Sequence, residues 1–295
     1  LTIDLGDYTL SSGDKDVVFT VEKGNVIINA GKGGIRGGSG SDNIAIKVTE
    51  GNLTINGGNY YVGGDKNGLG NSTVYIAGSG TVTINGGMFE TEKSWKDFYY
   101  VLNINNGKTG TCIVKGGTFI KYNPAVGDDN MHGNFVAAGF YSIKEGNVYT
   151  VSETKPVAQI GTDNYASLKT AFEGAKKGDT VTLVADYNVE KIEDTVESQN
   201  IVGVDMTLDL NGHKITFFAE MSEYENNHVA IYVKNGATFT VTDSSAGGNG
   251  GIISALDKSS KLGDNIGPYT FDVVDNSNLI INDGYYLGGG TVAQV

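Results

Sequence analysis

The loop Val126-Gly-Asp-Asp-Asn-Met-His-Gly133 holds the densest potential chemistry in the chain. Asp128 and Asp129 are its only adjacent aspartate pair, and His132 follows within one turn's reach. Carboxylate oxygens with a nearby imidazole could gather around a hard cation, so Asp128, Asp129 and His132 form the candidate metal site, with calcium as the ion they would take. Hydrolysis of a glycosidic bond would require two carboxylates facing each other across a groove. A polar, glycine-containing loop is more often only a loop, and no residue is assigned a catalytic role.

A lyase would instead need a basic residue to abstract a proton. Arg36 is the only arginine, in Gly33-Gly-Ile-Arg-Gly-Gly38, which reads as a solvated turn. A lysine could replace it as base only if strongly desolvated. His213, in Asn211-Gly-His-Lys214, and His228, ahead of Val229-Ala-Ile-Tyr-Val233, read as turn or loop residues. The glycine-rich stretches 31–40 and 247–251 lack the Gly-Lys-Ser/Thr frame of a phosphate loop, and no helix follows them. Aromatics are the better clue. Tyr61, Trp95, Phe98, Tyr99 and Tyr285 fall at or beside loops, where their faces could stack on a sugar or anchor a protein. The cluster Lys93-Ser-Trp-Lys-Asp-Phe-Tyr-Tyr100 is the densest, although Tyr99 or Tyr100 could equally open the next strand and pack inward.

The elements that must position these residues show first in composition. With 44 glycines and only 3 prolines, the chain carries Gly-Gly pairs beside Val, Ile and Thr runs, the pattern of short strands joined by tight turns. Net charge is −13, and no lysine and arginine cluster exists to neutralise a phosphate backbone, which argues against nucleic acid and anionic lipid as partners. A lone Cys112 excludes an internal disulfide. The apolar runs are too short to span a membrane. A start at Leu1 suggests a removed leader.

Four segments align without gaps: Leu53-Thr-Ile-Asn-Gly-Gly-Asn-Tyr60, Val82-Thr-Ile-Asn-Gly-Gly-Met-Phe89, Cys112-Ile-Val-Lys-Gly-Gly-Thr-Phe119 and Leu279-Ile-Ile-Asn-Asp-Gly-Tyr-Tyr286. Gly58 and Gly87 are 29 residues apart, Gly87 and Gly117 are 30 apart, and a fixed period of this size marks a solenoid. Within each segment the first and third residues are apolar, which places them on one face of a strand. The glycines permit a sharp bend or positive φ. Coils stacked at roughly the inter-strand spacing of ~4.8 Å would lay aliphatic over aliphatic and aromatic over aromatic. Cys112 then belongs to the ladder of Leu53 and Val82, as a small hydrophobe rather than a nucleophile.

The design recurs. Leu1-Thr-Ile-Asp-Leu5 is similar to Met206-Thr-Leu-Asp-Leu210, and 44–64 is similar to 269–290. Two units are therefore expected, 1–154 and 155–295. The first closes with a hairpin of Phe140–Ile143 and Val148–Val151. The second opens with a short helix, apolar at Leu168, Ala171, Phe172 and Ala175, with Ser167 as N-cap and Gly178 as its stop. Such a helix would cover the open end of a solenoid. The second unit reads as truncated at its end, so the whole reads as a window on a longer array with neighbouring copies of the same module.

The Ser167-Leu-Lys-Thr-Ala-Phe helix, the Lys177-Gly-Asp-Thr-Val-Thr-Leu183 strand, Thr207-Leu-Asp-Leu-Asn-Gly-His-Lys-Ile215, the Thr-Ile-Asn-Gly-Gly coils and Phe135-Val-Ala-Ala-Gly-Phe-Tyr141 together resemble pectate-lyase-like β-helix modules of large bacterial surface proteins, especially those of gut bacteria. The resemblance covers nearly the whole chain. It implies an all-β, right-handed parallel β-helix, but that fold hosts lyases, hydrolases, adhesins and phage tailspikes, so it implies no one activity. The expected function is an extracellular structural or adhesion module, on a bacterial surface or secreted, that binds glycan or a surface protein through loop aromatics. A β-helix polysaccharide lyase or glycoside hydrolase is the alternative, and a phage fibre segment the second.

Overall fold

The computed structural model describes residues 1–13, 17–40, 42–63, 71–92, 99–128, 132–189, 200–219, 229–256, 269–288 and 292–294. Almost all regular structure is strand, in two compact units, Leu1–Lys155 and Pro156–Val295. The repeats form stacked parallel coils, the β-solenoid that their period requires.

Three parallel ladders build the first unit. One joins Thr2–Gly6, Asn25–Ala30, Asn52–Val62, Thr81–Thr91 and Thr111–Val114. The next joins Thr9–Ser11 and Gly34–Arg36 to the far halves of the two long strands and to Gly117–Ile120. A third stacks Val17–Val21, Ile44–Val48, Ser72–Ile76 and Leu102–Ile104. Residues in register share a face, so the alternation seen in sequence becomes columns: Val26, Leu53, Val82 and Cys112, and beside them Ile28, Ile55, Ile84 and Val114. All eight are buried, each aliphatic contributing about 1.5–3 kcal/mol. The bend falls at the second glycine of each pair: Gly58, Gly87 and Gly117 have φ of 99°, 117° and 109°. Gly284 in the second unit, at 111°, holds the same place.

Beyond the bend a third column turns aromatic. Ile35 lies against Tyr60, Tyr60 against Phe89 and Phe89 against Phe119. Ring centroids are 4.9 and 5.1 Å apart, with interplanar angles of 10° and 13°. Outside, Asn56 donates to Asn29 at 2.8 Å and Asn85 to Asn56 at 2.9 Å, so the same stacking aligns side-chain amides on the surface. The parallel succession stops where Val148–Ser152 pairs antiparallel with Gly117–Ile120 and, through a hairpin, with Tyr141–Glu145. That hairpin begins one residue later than its sequence suggests.

In the second unit Ala158–Ile160 and Asp163–Tyr165 form a hairpin, and Ala158–Ile160 also runs antiparallel to Thr180–Leu183. Parallel stacking then carries Thr180–Leu183 to Met206–Asp209, Thr238–Thr242 and Asn278–Ile281, with two flanking ladders built the same way. The helix Leu168–Gly174 buries Leu168, Ala171 and Phe172, and sets the Phe172 ring edge-on to Phe239 at 5.8 Å. Ser167 caps it as expected, its hydroxyl accepting from the Thr170 N–H. Gly178 is not its stop. The helix ends at Gly174, because the carboxylate of Asp179 takes the Lys176 N–H at 2.8 Å and turns the chain toward the next strand. Gly178, at φ 88°, belongs to that turn.

Candidate ligand-binding site

The hairpin that ends the first unit also makes a pocket. Antiparallel register sets Tyr149 opposite Phe119 on one side and Lys144 on the other. The buried row Ile35, Tyr60, Phe89, Phe119 is thereby extended by one more aromatic and finished by an ammonium. Lys144 Nζ lies 5.5 Å from the centroid of the Tyr149 ring, within cation–π range.

A second such pair closes the other wall. After Gly117–Ile120 the chain must reverse, and Lys121 does so with φ of 57°, its N–H donating to the Asn147 carbonyl at 2.7 Å. This contact ties the end of the coil to the hairpin turn. It also aims the side chain at Tyr99, with Nζ 5.6 Å from that ring's centroid. Tyr99, Lys121, Lys144, Asn147 and Tyr149 line a cavity of about 310 Å³. None of these residues is acidic, in a chain of net charge −13. Lysine offers only donors, so the lining presents two cations and two aromatic faces, with acceptors limited to one amide and two phenols. The arrangement suits a small ring rich in acceptors.

The sequence candidates are distributed as follows. Tyr99 is half-buried, packs against the core on one side and lines the pocket on the other, so both readings of it hold together. Leu102 opens the next strand. Tyr61 lies on a different ladder, under the Arg36 guanidinium at 4.3 Å, with its hydroxyl donated to Glu92. Burial, then the Glu92 hydrogen bond and charge, push that phenol up to about 12. Tyr285 is exposed on Tyr285–Gly288 in the second unit. Trp95 and Phe98 lie outside the described residues, as do Asp129 and His228.

Asp128 and His132 are brought together. The Asp128 side chain is 1% exposed; one oxygen accepts the Ile104 N–H at 2.9 Å and the other the His132 N–H at 3.1 Å. His132 Nδ1 approaches both oxygens, at 2.9 and 2.8 Å. Among the described residues no group of three His, Cys, Asp or Glu side chains is placed to hold a metal ion. Cys112 sits in register with Val82, and burial, with a smaller contribution from the Asp128 charge, pushes its thiol up to about 12. His213 Nδ1 lies 3.3 Å from Asp186. In the second unit Asp243 accepts the backbone N–H groups of Gly212, Ser245 and Gly250, a corner-bracing role.

Sequence reasoning missed Lys121, Lys144, Asn147 and Tyr149. Their shared signal was the hairpin itself, whose turn Lys144-Glu-Gly-Asn147 stands 23 residues past Lys121. Nothing local says that the turn returns onto Lys121.

Fold and site together define a parallel β-solenoid protein carrying a lysine and tyrosine pocket at a coil terminus. No family model matches the chain, and neither the curated proteins nor the solved structures yield a match. Among the described residues no helix is long and apolar enough to cross a membrane.

Proposed function

We propose that this chain is a display module of a bacterial surface or secreted protein, of the pectate-lyase-like β-helix kind it resembles, and that it binds glycan. The observation that carries this reading is the Tyr99–Lys121–Lys144–Asn147–Tyr149 pocket, held on a frame of backbone hydrogen bonds. Strand-borne aromatics lose little conformational freedom when a ring stacks on them, and a rigid frame keeps that advantage. Repetition serves the same end. Stacked coils extend a surface without changing its cross-section, so insertions between coils become the variable, ligand-facing parts.

The test is a glycan array probed with the intact chain, together with the same glycans in solution analysed for cleavage. Retention of a chemically related subset, recovered uncut, is the expected result. An array without binders would overturn the reading, and released products would replace it with the lyase or hydrolase alternative.

A further inference from the structure

Resting on that glycan-binding reading, we infer that the pocket at the hairpin takes a saccharide unit bearing a carboxylate or a sulfate, and discriminates against the neutral ring.

Four observations converge. Each ammonium lies over an aromatic face, Lys121 over Tyr99 and Lys144 over Tyr149, so each charge sits beside a surface on which the apolar face of a sugar ring can rest. Both lysines reach the same cavity from different elements, the coil end and the hairpin, and the contact between Lys121 N–H and the Asn147 carbonyl fixes their spacing. The cavity, about 310 Å³, is at the small end of ligand sites, the scale of one or two sugar rings rather than a long chain. Finally, no acidic side chain lines it, so an anion meets no opposing carboxylate within the pocket although the molecule as a whole is strongly acidic. Lysine binds such a group as a mobile point charge with three donors. Carboxylate and sulfate share the chemistry it recognises, and the neutral hydroxymethyl group in their place lacks the charge.

The experiment uses the intact chain against immobilised neutral oligosaccharides and their uronate-bearing and sulfated counterparts, with and without the paired substitution Lys121→Asn and Lys144→Gln. Asparagine tolerates the positive φ at 121, and neither change empties the core. Melting curves of both proteins guard against a folding defect, and the single variant Lys144→Arg keeps charge at the pocket should the pair prove unstable. Acidic glycans are expected to bind at least about tenfold more tightly than their neutral counterparts, and the paired variant to lose that margin with its melting curve unchanged. Lys144→Arg is expected to retain most of it. The uronate and sulfate arms distinguish which anion the site prefers. Equal binding of neutral and acidic glycans would overturn the inference, and so would acidic binding that ignores the paired substitution; in both cases the glycan-binding reading survives. A blank array removes both.

Discussion

The buried carboxylate of Asp128 accepts the backbone N–H of Ile104 at 2.9 Å, at the edge of a four-stranded parallel sheet. The loop that looked most like a cation site thus reaches back to the frame, giving an edge-strand donor a partner and holding His132 in place.

Replacing Asp128 by Ala removes that acceptor and strands a partly buried N–H. A stability loss of about 2 kcal/mol is expected in urea denaturation, and Asp128→Asn, which keeps one carbonyl oxygen, should lose less. If Asp128→Ala unfolds at the same urea concentration as the parent, the bracing role is wrong.

The aromatic column makes a contrast within one position. Phe89 is fully buried between Tyr60 and Phe119. Phe89→Ala should cost about 4 kcal/mol. Phe89→Tyr should cost under about 1 kcal/mol, because Tyr60, one coil away, already places its hydroxyl on the Gly57 carbonyl at 2.7 Å, and Gly86 offers the equivalent acceptor. Thermal unfolding of the two variants decides this, and equal losses would mean that the column is not read through its repeat.

Two glycines of similar backbone conformation should respond unequally to alanine. Gly178 has φ of 88° with open space around it, so Gly178→Ala bears only the conformational cost of about 1 kcal/mol. Gly58 has φ of 99°, and a Cβ there would come within 2.6 Å of the Ala30 Cβ. Gly58→Ala should therefore cost at least about 2 kcal/mol, measured by the same denaturation.

Cys112 carries a pH prediction. Burial raises its thiol from an ordinary value near 9 to about 12. In that window the unfolded chain releases the proton and the folded chain keeps it, so stability is intact below pH 9 and falls as pH rises toward 12. Buried tyrosines such as Tyr60, also raised, add to the slope with the same sign. Cys112→Val should fold like the parent at neutral pH, since Val82 fills the equivalent place, yet lose stability less steeply in alkali. In the parent, iodoacetamide should label Cys112 only as fast as the coil opens; rapid labelling of the folded protein would contradict the burial.

Much of this architecture was legible before any coordinates. Ile55, Ile84 and Val114 share a column because a parallel ladder transmits register without distortion from coil to coil, so a repeat in sequence becomes a contact in space. The helix N-cap at Ser167 followed from local chemistry, and its end did not, because Asp179 competes for the backbone from the far side of the turn. The site was read only in part. Tyr99 was singled out as an aromatic beside a loop; Lys121 and Lys144 looked like ordinary surface lysines.

By itself the sequence determined the period, the inward columns and the bends at glycine, since each depends on residues a few positions apart and then repeats. Only the tertiary structure decided that Asp128 braces a strand edge and that two lysines converge over two tyrosines. Both depend on where an antiparallel hairpin and a returning loop meet the last coil, and closure between segments of differing length leaves no periodic trace in the chain.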